Sequence, residues 1–508
     1  MTACLSRSAS KRAVHPDNVF SWLSVILITA FLFAPLFGVE FRVDIVSLSI
    51  LFNGLFGVVM LWISMADAPY SLKQVHWVFY ITFFSAAPLI QYTSEIWPWG
   101  YMPKDETVLK SCVLVFVWGA IFACCSGRSR FISQQYDDKN LITLEMKQFF
   151  NLTPLARLLL PLGCIASFLL LFALVGLDGM LFRTSNKLDL ESSSLSMILT
   201  VCTRAFVFGS FALLWLDARH RHGHYWGMII AGFCLLLTCF PTSMARFNVA
   251  AVYLGLALFA CPMFSRKRGL FAFVLILGFL VAYPLFNAFK YIGEAASPGE
   301  VFEMITSSMT AGYTSGNYDA FSVMFWCFDY VEKYGLTHGS QLLGALLFFI
   351  PRSIWPAKPV PSGELVFSAL HFHFTDIAFP LPFEGYLNFG FVGIILFAFA
   401  YGMVVNKVDA RYWLSRMNSN DAVPTTLLLY YPFLLCLTFY TLRGAMMTTF
   451  TYVIGDLVVM ILLTRLASIC RRRSDDLQSK GSRHIWHLDS VGHDMLGNLE
   501  LLIDEDEA

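Results

Sequence analysis

The chain has 508 residues, 57% of them hydrophobic and only 14% charged, with no formal net charge and a mean hydropathy of +0.63. Soluble domains carry about 25% charged residues, so this composition excludes an ordinary soluble domain. Apolar runs of about 18 or more residues recur from end to end, and the short alternating strands that a transmembrane barrel requires are absent. The sequence therefore specifies an all-α polytopic membrane protein.

The chain begins with a short polar tail, residues 1–18, bearing Arg7, Lys11 and Arg12. No small-residue cleavage site follows the first apolar run, so Phe20 to Gly38 is expected to be an uncleaved first span rather than a signal peptide. Hydropathy places spans near residues 19–38, 45–65, 75–93, 108–125, 157–177, 195–216, 226–241, 246–264 and 269–289, about nine in all. A long stretch from Lys290 to Asn388 then intervenes. Three more spans follow near 388–405, 424–442 and 448–467, and a polar tail from about 468 ends in IDEDEA, where disorder is expected. A structureless connection as long as 290–387 is usually functional. This one is aromatic-rich and contains the amphipathic pieces YDAFSVMFWCFDYVEKY and SQLLGALLFFI, expected to lie on the membrane surface or to fold back into the bundle. The cysteines are scattered and form no CxxC pair, so neither a zinc site nor a disulfide framework is read from them.

Basic residues set the orientation. Arg128, Arg130, Lys139 and Lys147 follow the fourth span, Arg219 and Arg221 the sixth, and Arg266, Lys267 and Arg268 the eighth. Lys407, Arg411 and Arg416 follow the tenth, and Arg471, Arg472 and Arg473 the last. With about twelve spans all these clusters fall on one side, which the positive-inside rule makes cytoplasmic, together with both termini. The remaining cations then require a reason. Arg246 lies in the short turn PTSMARFN and Arg443 in TLRGAMMTTF, both on the outer side, while Arg204 lies inside the sixth span. Arg352 and Lys358 belong to FFIPRSIWPAKPVPSGE, whose four prolines predict a stiff, extended strap. An ionised group within the bilayer costs a few kcal/mol, so Arg204 is expected to face protein or water. Snorkelling to lipid headgroups or a structural ion pair accounts for any one such residue. The set of five points instead to an anionic ligand, because the arginine fork grips phosphate oxygens and does not lose its proton.

IPRSIWPAKP resembles the outer-face motif of the Wzy-type oligosaccharide repeat-unit polymerases, the O-antigen and exopolysaccharide polymerase family. PFEGYLNFGFVGIILFAFAYGMVV (Pro382 to Val405) and the turns carrying Arg246 and Arg443-Gly444 are similar to segments of the same family. The resemblance covers mainly residues 240–455. It implies a lipid-sugar glycosyltransferase (GT-C-like) bundle with a large outer loop over a cavity. It also implies a reaction in which a glycan on polyprenyl pyrophosphate passes to another lipid-linked repeat unit and polyprenyl pyrophosphate leaves. The implied partners are that lipid-linked oligosaccharide, the bilayer of a bacterial inner membrane and a chain-length regulator, with no nucleic acid. Arg246, Arg352, Lys358 and Arg443, with Arg204, are expected to stabilise the departing pyrophosphate. Glu384 is the first candidate for a general base, and His371, His373 and Asp376 are the second. No cofactor is expected, and no acidic cluster of the DxD kind is present to hold a metal. An O-antigen ligase of the same architecture is the nearest alternative. A lipid-sugar flippase or transporter would show internal repeats, which are absent, and an outer-face acyltransferase would use His371 with Asp376.

Overall fold

Helices begin where a polar cap meets an apolar run. Asp44 opens α2 (Ile45–Asp67) as a capping box: its carboxylate accepts from the Ser47 amide at 2.8 Å, and Ser47 Oγ accepts from the Asp44 amide at 3.1 Å. Ser71 caps α3 (Leu72–Ile81) in a similar way, accepting from the Gln74 amide. The computed structural model describes residues 19–37, 42–127, 152–181, 194–220, 225–283, 297, 299–300, 302–303, 312–417 and 426–467. The two polar tails, the basic residues at 128–147, Arg221 and Arg471 to Arg473 lie outside the described residues.

All regular structure among the described residues is helical. The N-terminal half contains α1 (Val19–Phe33), α2, α3, α4 (Ala87–Thr93), α5 (Asp105–Ser126), α6 (Pro154–Leu181), α7 (Ser194–His220) and α8 (Trp226–Thr238). It continues with α9 (Arg246–Ala260) and α10 (Leu270–Leu277). The long connection supplies α11 (Val323–Tyr334), α12 (Ser340–Leu346) and α13 (Ser362–Ala369), ahead of α14 (Leu381–Met417), α15 (Thr426–Arg443) and α16 (Met446–Ala467). Among the described residues nine helices are long and apolar enough to cross a membrane. The other three expected spans take shorter forms. The third is α3 and α4 joined by a π turn at Thr82–Ala86, the eighth is the 15 residues of α9, and the ninth is α10 extended by a second π turn at Gly278–Ala282. At 1.5 Å per residue, α9 is only about 22 Å long, well below a hydrocarbon core of roughly 30 Å.

Contacts at the helix ends agree with alternating passes. Lys267 Nζ lies 5.4 Å from the Phe20 ring, Lys73 Nζ donates to the Gly127 carbonyl at 2.8 Å, and Thr426 meets Thr464 at 2.8 Å. The starts of α1, α3 and α15 thus share one end with the ends of α5, α9 and α16, and among the described residues this end holds the basic turn Arg266 to Arg268. At the opposite end Arg42 pairs with Glu95 at 2.8 Å.

Two apolar cores divide the bundle. One joins α1–α5 and α10–α14, with Leu258 of α9 and Met446 of α16; the other joins α6–α9 and α16. α15 belongs to both, with Tyr431, Leu435 and Phe439 in the first and Leu429, Phe433 and Leu437 in the second. Arg443 is the last residue of this shared helix.

The short α9 and α10 leave space at their non-basic ends, and residues 312–319 fill it. Tyr318 is fully buried and stacks on Phe83 at 4.8 Å. A π turn shifts the helical hydrogen-bond ladder and leaves carbonyls free. Here two carbonyls of the π turn accept from outside the helix: Tyr313 Oη donates to that of Leu280 at 2.9 Å and Tyr318 Oη to that of Phe279. From α4, Gln91 Nε2 donates to the carbonyls of Tyr313 and Tyr318 at 2.8 and 2.9 Å.

The tenth span differs from expectation. Its helix begins at Leu381 rather than near 388, and it breaks at Phe389 and Gly390, where Gly390 takes a φ of 63°. The break folds the 381–388 arm back against the span. A Cβ on Gly393 would lie 1.8 Å from the Gly385 carbonyl oxygen, so only glycine permits this backbone approach. Gly393→Ala is accordingly expected to destabilise the purified protein by about 2 kcal/mol or more. Gly278→Ala, whose Cβ would meet nothing within 4 Å, serves as the near-neutral control in the same thermal-unfolding measurement.

Candidate functional site

Two of the five expected cations meet on one short segment. Arg443 Nη2 donates to the Gly316 carbonyl at 2.8 Å and to Asp319 Oδ1 at 2.9 Å. Arg246, the first residue of α9, donates from Nη1 to the Tyr283 carbonyl at 3.2 Å and from Nη2 to Asn317 Oδ1 at 2.9 Å. Its guanidinium also lies over the Tyr283 ring, 4.8 Å from the centroid. Tyr283 Oη in turn donates to the Asn317 carbonyl at 3.2 Å, so both arginines hold residues 316–319.

The local sequence explains this segment. Ser315 Oγ accepts from the Asn317 amide and side chain at 3.3 and 3.0 Å, which starts the Gly316–Tyr318 turn. Gly316 is required because an indole carbon of Trp99 would lie 2.5 Å from any Cβ there. Trp99 itself adopts a left-handed φ of 65° and donates its Nε1–H to Asp319 Oδ2 at 2.9 Å. Asp319 is 1% exposed. Burial pushes its carboxyl above the usual aspartate range, against the opposing pull of the Arg443 guanidinium and the Trp99 hydrogen bond.

The arrangement is rich in positive potential. Arg246 stands in the first turn of α9, where the helix dipole adds to its charge rather than offsetting it. Arg443 makes both of its bonds through Nη2, while its buried Nε has no hydrogen-bond partner among the described residues. Asp319 forms a salt bridge to the Arg443 guanidinium. Such a cluster is chemically suited to accept an oxyanion.

The strap differs from expectation. Residues 351–358 are not extended: the Ile354 and Trp355 amides both donate to the Pro351 carbonyl at 3.0 Å, and the Lys358 amide donates to that of Trp355 at 3.0 Å. Pro356 occupies the second position of this last turn, which its fixed φ favours. The prolines shape consecutive turns instead of a straight rod. Both cations bind the strap itself. Arg352 donates to the carbonyls of Lys358 and Pro359 at 2.7 and 3.1 Å, and Lys358 Nζ to those of Phe348 and Ile350 at 2.6 and 3.0 Å. Lys358 is 5% exposed; burial, then the neighbouring Arg352, lowers its pKa. Among the described residues neither cation hydrogen-bonds to residues 316–319. Arg204 is also elsewhere, in the second core, where its Nε donates to the Thr238 carbonyl at 3.2 Å.

Glu384, on the 381–388 arm, is 1% exposed. Its Oε1 accepts from the Met446 amide at 2.9 Å and its Oε2 from Ser362 Oγ at 2.7 Å. It therefore ties the start of α16 to α13 and α14, immediately beyond the Arg443-Gly444 turn. Asn388 continues the network, donating to the Glu384 carbonyl at 2.8 Å and accepting from the Leu342 amide and Thr337 Oγ1 at 3.3 and 3.1 Å. Both carboxylate oxygens of Glu384 are occupied, which suits positioning better than proton abstraction. His371, His373 and Asp376 are exposed. Among the described residues no three or more His, Cys, Asp and Glu side chains lie together as metal ligands.

Sequence reasoning missed Asp319, Asn317 and Tyr283, partners of the two arginines, and Trp99, which bonds Asp319. It also missed Asp456, a carboxylate only 3% exposed within α16. No family model, no curated protein and no solved structure matches this chain.

Removing Asp319 leaves Arg443 without its counter-charge. Asp319→Ala is expected to cost about 3 kcal/mol, the low end for a broken buried pair because the guanidinium side chain keeps 21% of its surface exposed. Asp319→Asn, which keeps an acceptor for Trp99, is expected to cost less; equal thermal midpoints for wild type and Asp319→Ala would contradict the pairing. Glu384→Ala is likewise expected to lose about 1–3 kcal/mol through the orphaned Met446 amide and Ser362 hydroxyl, with Glu384→Gln intermediate.

Proposed function

We propose that this protein is a membrane-embedded polymerase of polyprenyl-pyrophosphate-linked oligosaccharide repeat units, a glycosyltransferase that releases polyprenyl pyrophosphate as the glycan grows. The observation that carries the reading is the meeting of Arg246 and Arg443 on residues 316–319 at the non-basic end of the bundle. In a twelve-span topology with cytoplasmic termini, that end faces outward from a bacterial inner membrane, and the bundle is of the lipid-sugar glycosyltransferase type. A pyrophosphate leaving group gathers negative charge as its bond to the sugar breaks. Preorganised guanidinium groups at the membrane boundary stabilise that charge, whereas mobile water must first reorient.

Roles follow from this reading. Arg443 and Arg246 bind the pyrophosphate, and Asp319 holds Arg443 in position. Glu384 fixes the turn that carries Arg443. Arg352 and Lys358 maintain the strap of the outer cap, a supporting role in place of the direct contact expected from the sequence. An O-antigen ligase would use the same leaving group with a different acceptor, so the acceptor in a reconstituted reaction separates the two. A flippase would leave the glycan chain length unchanged.

The test is turnover of a lipid-linked repeat unit by the purified protein, with products resolved by length. Arg443→Ala and Arg246→Ala are each expected to reduce long-chain product by a factor of about 100 or more, the scale of losing one oxyanion-stabilising donor. Arg443→Lys is expected to recover only part of the loss, because an ammonium has no planar fork. Arg352→Ala is expected to act mainly through stability. Long chains at the wild-type level from correctly folded Arg443→Ala protein would overturn the proposal.

A further inference from the structure

We infer that Trp99 and Phe374 form a stacking platform for a sugar ring directly beside the anion site, an assignment that rests on the pyrophosphate reading above. The indole of Trp99 touches that site twice. Its Nε1 donates to Asp319, the partner of Arg443, and its ring lies against Gly316, whose carbonyl accepts from Arg443. Phe374 extends the contact away from the arginines. Its ring is nearly parallel to the indole, with centroids 6.0 Å apart and planes at 21°. It is also 55% exposed, so the ring reaches the surface beside the indole.

An exposed aromatic ring next to a phosphate-binding cluster fits a pyranose. One face of a sugar ring presents polarised C–H groups, which pack on the negative face of an aromatic quadrupole. The surroundings favour a sugar over a lipid tail. The segment HFHFTD alternates: Phe372 packs inward against Trp326 at 4.7 Å and Phe367 at 5.0 Å. His371, His373 and Asp376 are exposed around Phe374 and supply donors and acceptors for hydroxyl groups.

The two loops of the platform are also held in place. Trp99 and His371 both occupy the left-handed backbone region, with φ of 65° and 62°. Non-glycine residues there cost energy and persist only where neighbours fix them. Next to Trp99, Trp97 packs against Phe325 at 5.1 Å and Tyr101 donates to Asp329 Oδ1 at 3.0 Å. The sugar placed on this platform is the one attached to the pyrophosphate, because Trp99 is shared with the arginine site.

The experiment compares binding of three probes to the purified full-length protein in lipid nanodiscs: undecaprenyl pyrophosphate, and the same lipid carrying N-acetylglucosamine or galactose. Phe374→Ala is expected to weaken binding of the sugar-bearing lipids about tenfold and to leave the sugar-free lipid unchanged. Phe374→Tyr is expected to restore it, and unchanged thermal midpoints confirm that both variants fold. Equal weakening for all three probes would make Phe374 a lipid or cap contact and overturn the platform, as would no effect on any probe. Failure of the wild-type protein to bind undecaprenyl pyrophosphate would overturn the anion site itself, a result distinguishable from loss of the platform alone.

Discussion

A segment outside the α-helices that enters an apolar bundle persists only when its peptide groups find partners within the protein. Residues 312–319 meet this requirement chiefly with side chains: Gln91 from α4, Arg443 from α15 and the hydroxyl of Tyr283 all serve backbone carbonyls there. The segment reciprocates, because its own tyrosines satisfy carbonyls at the π turn that follows α10. The arginines are therefore bound into the fold by the polar needs of the segment they hold. This accounts for their geometry independently of any ligand. The same bonding brings two guanidinium groups together on one short segment.

Much of the bundle was legible in the sequence because hydropathy is a local property. The positions of nine apolar helices and the unusual standing of Arg246 and Arg443 follow from composition and loop charge. The α11 and α12 segments were legible from their amphipathic pattern. Partners were not. Asp319 lies within YDAFSVMFWCF, where it reads as one polar residue on a surface helix, and its burial depends on α4, α15 and the Trp99 loop meeting there. Trp99 looked like one of many interfacial aromatics. Nothing nearby in the sequence reveals its left-handed backbone or its contact with Gly316, 217 positions away.

The strap illustrates the opposite error. Proline fixes φ and so narrows the choice of local structure, but both extended chain and tight turn accept φ near −65°. The decision lay with Arg352 and Lys358, which donate to carbonyls only a few residues away and fold the chain on itself. Charge that seemed reserved for a ligand is instead consumed locally. Glu384 shows the same pattern, since its carboxylate closes a helix end and a serine hydroxyl.

The turn between α15 and α16 has one more consequence. Asp319 grips the side chain of Arg443, and Glu384 grips the amide of Met446, three positions later. Three residues span at most about 11 Å, and Gly444 is packed too closely against Tyr440 and Thr449 to give slack. Two buried acids, one from the inserted segment and one from the folded-back arm, are thereby tethered by a leash too short to stretch. The inserted segment and the arm thus frame the same short turn, so a displacement of either bears on the position of Arg443.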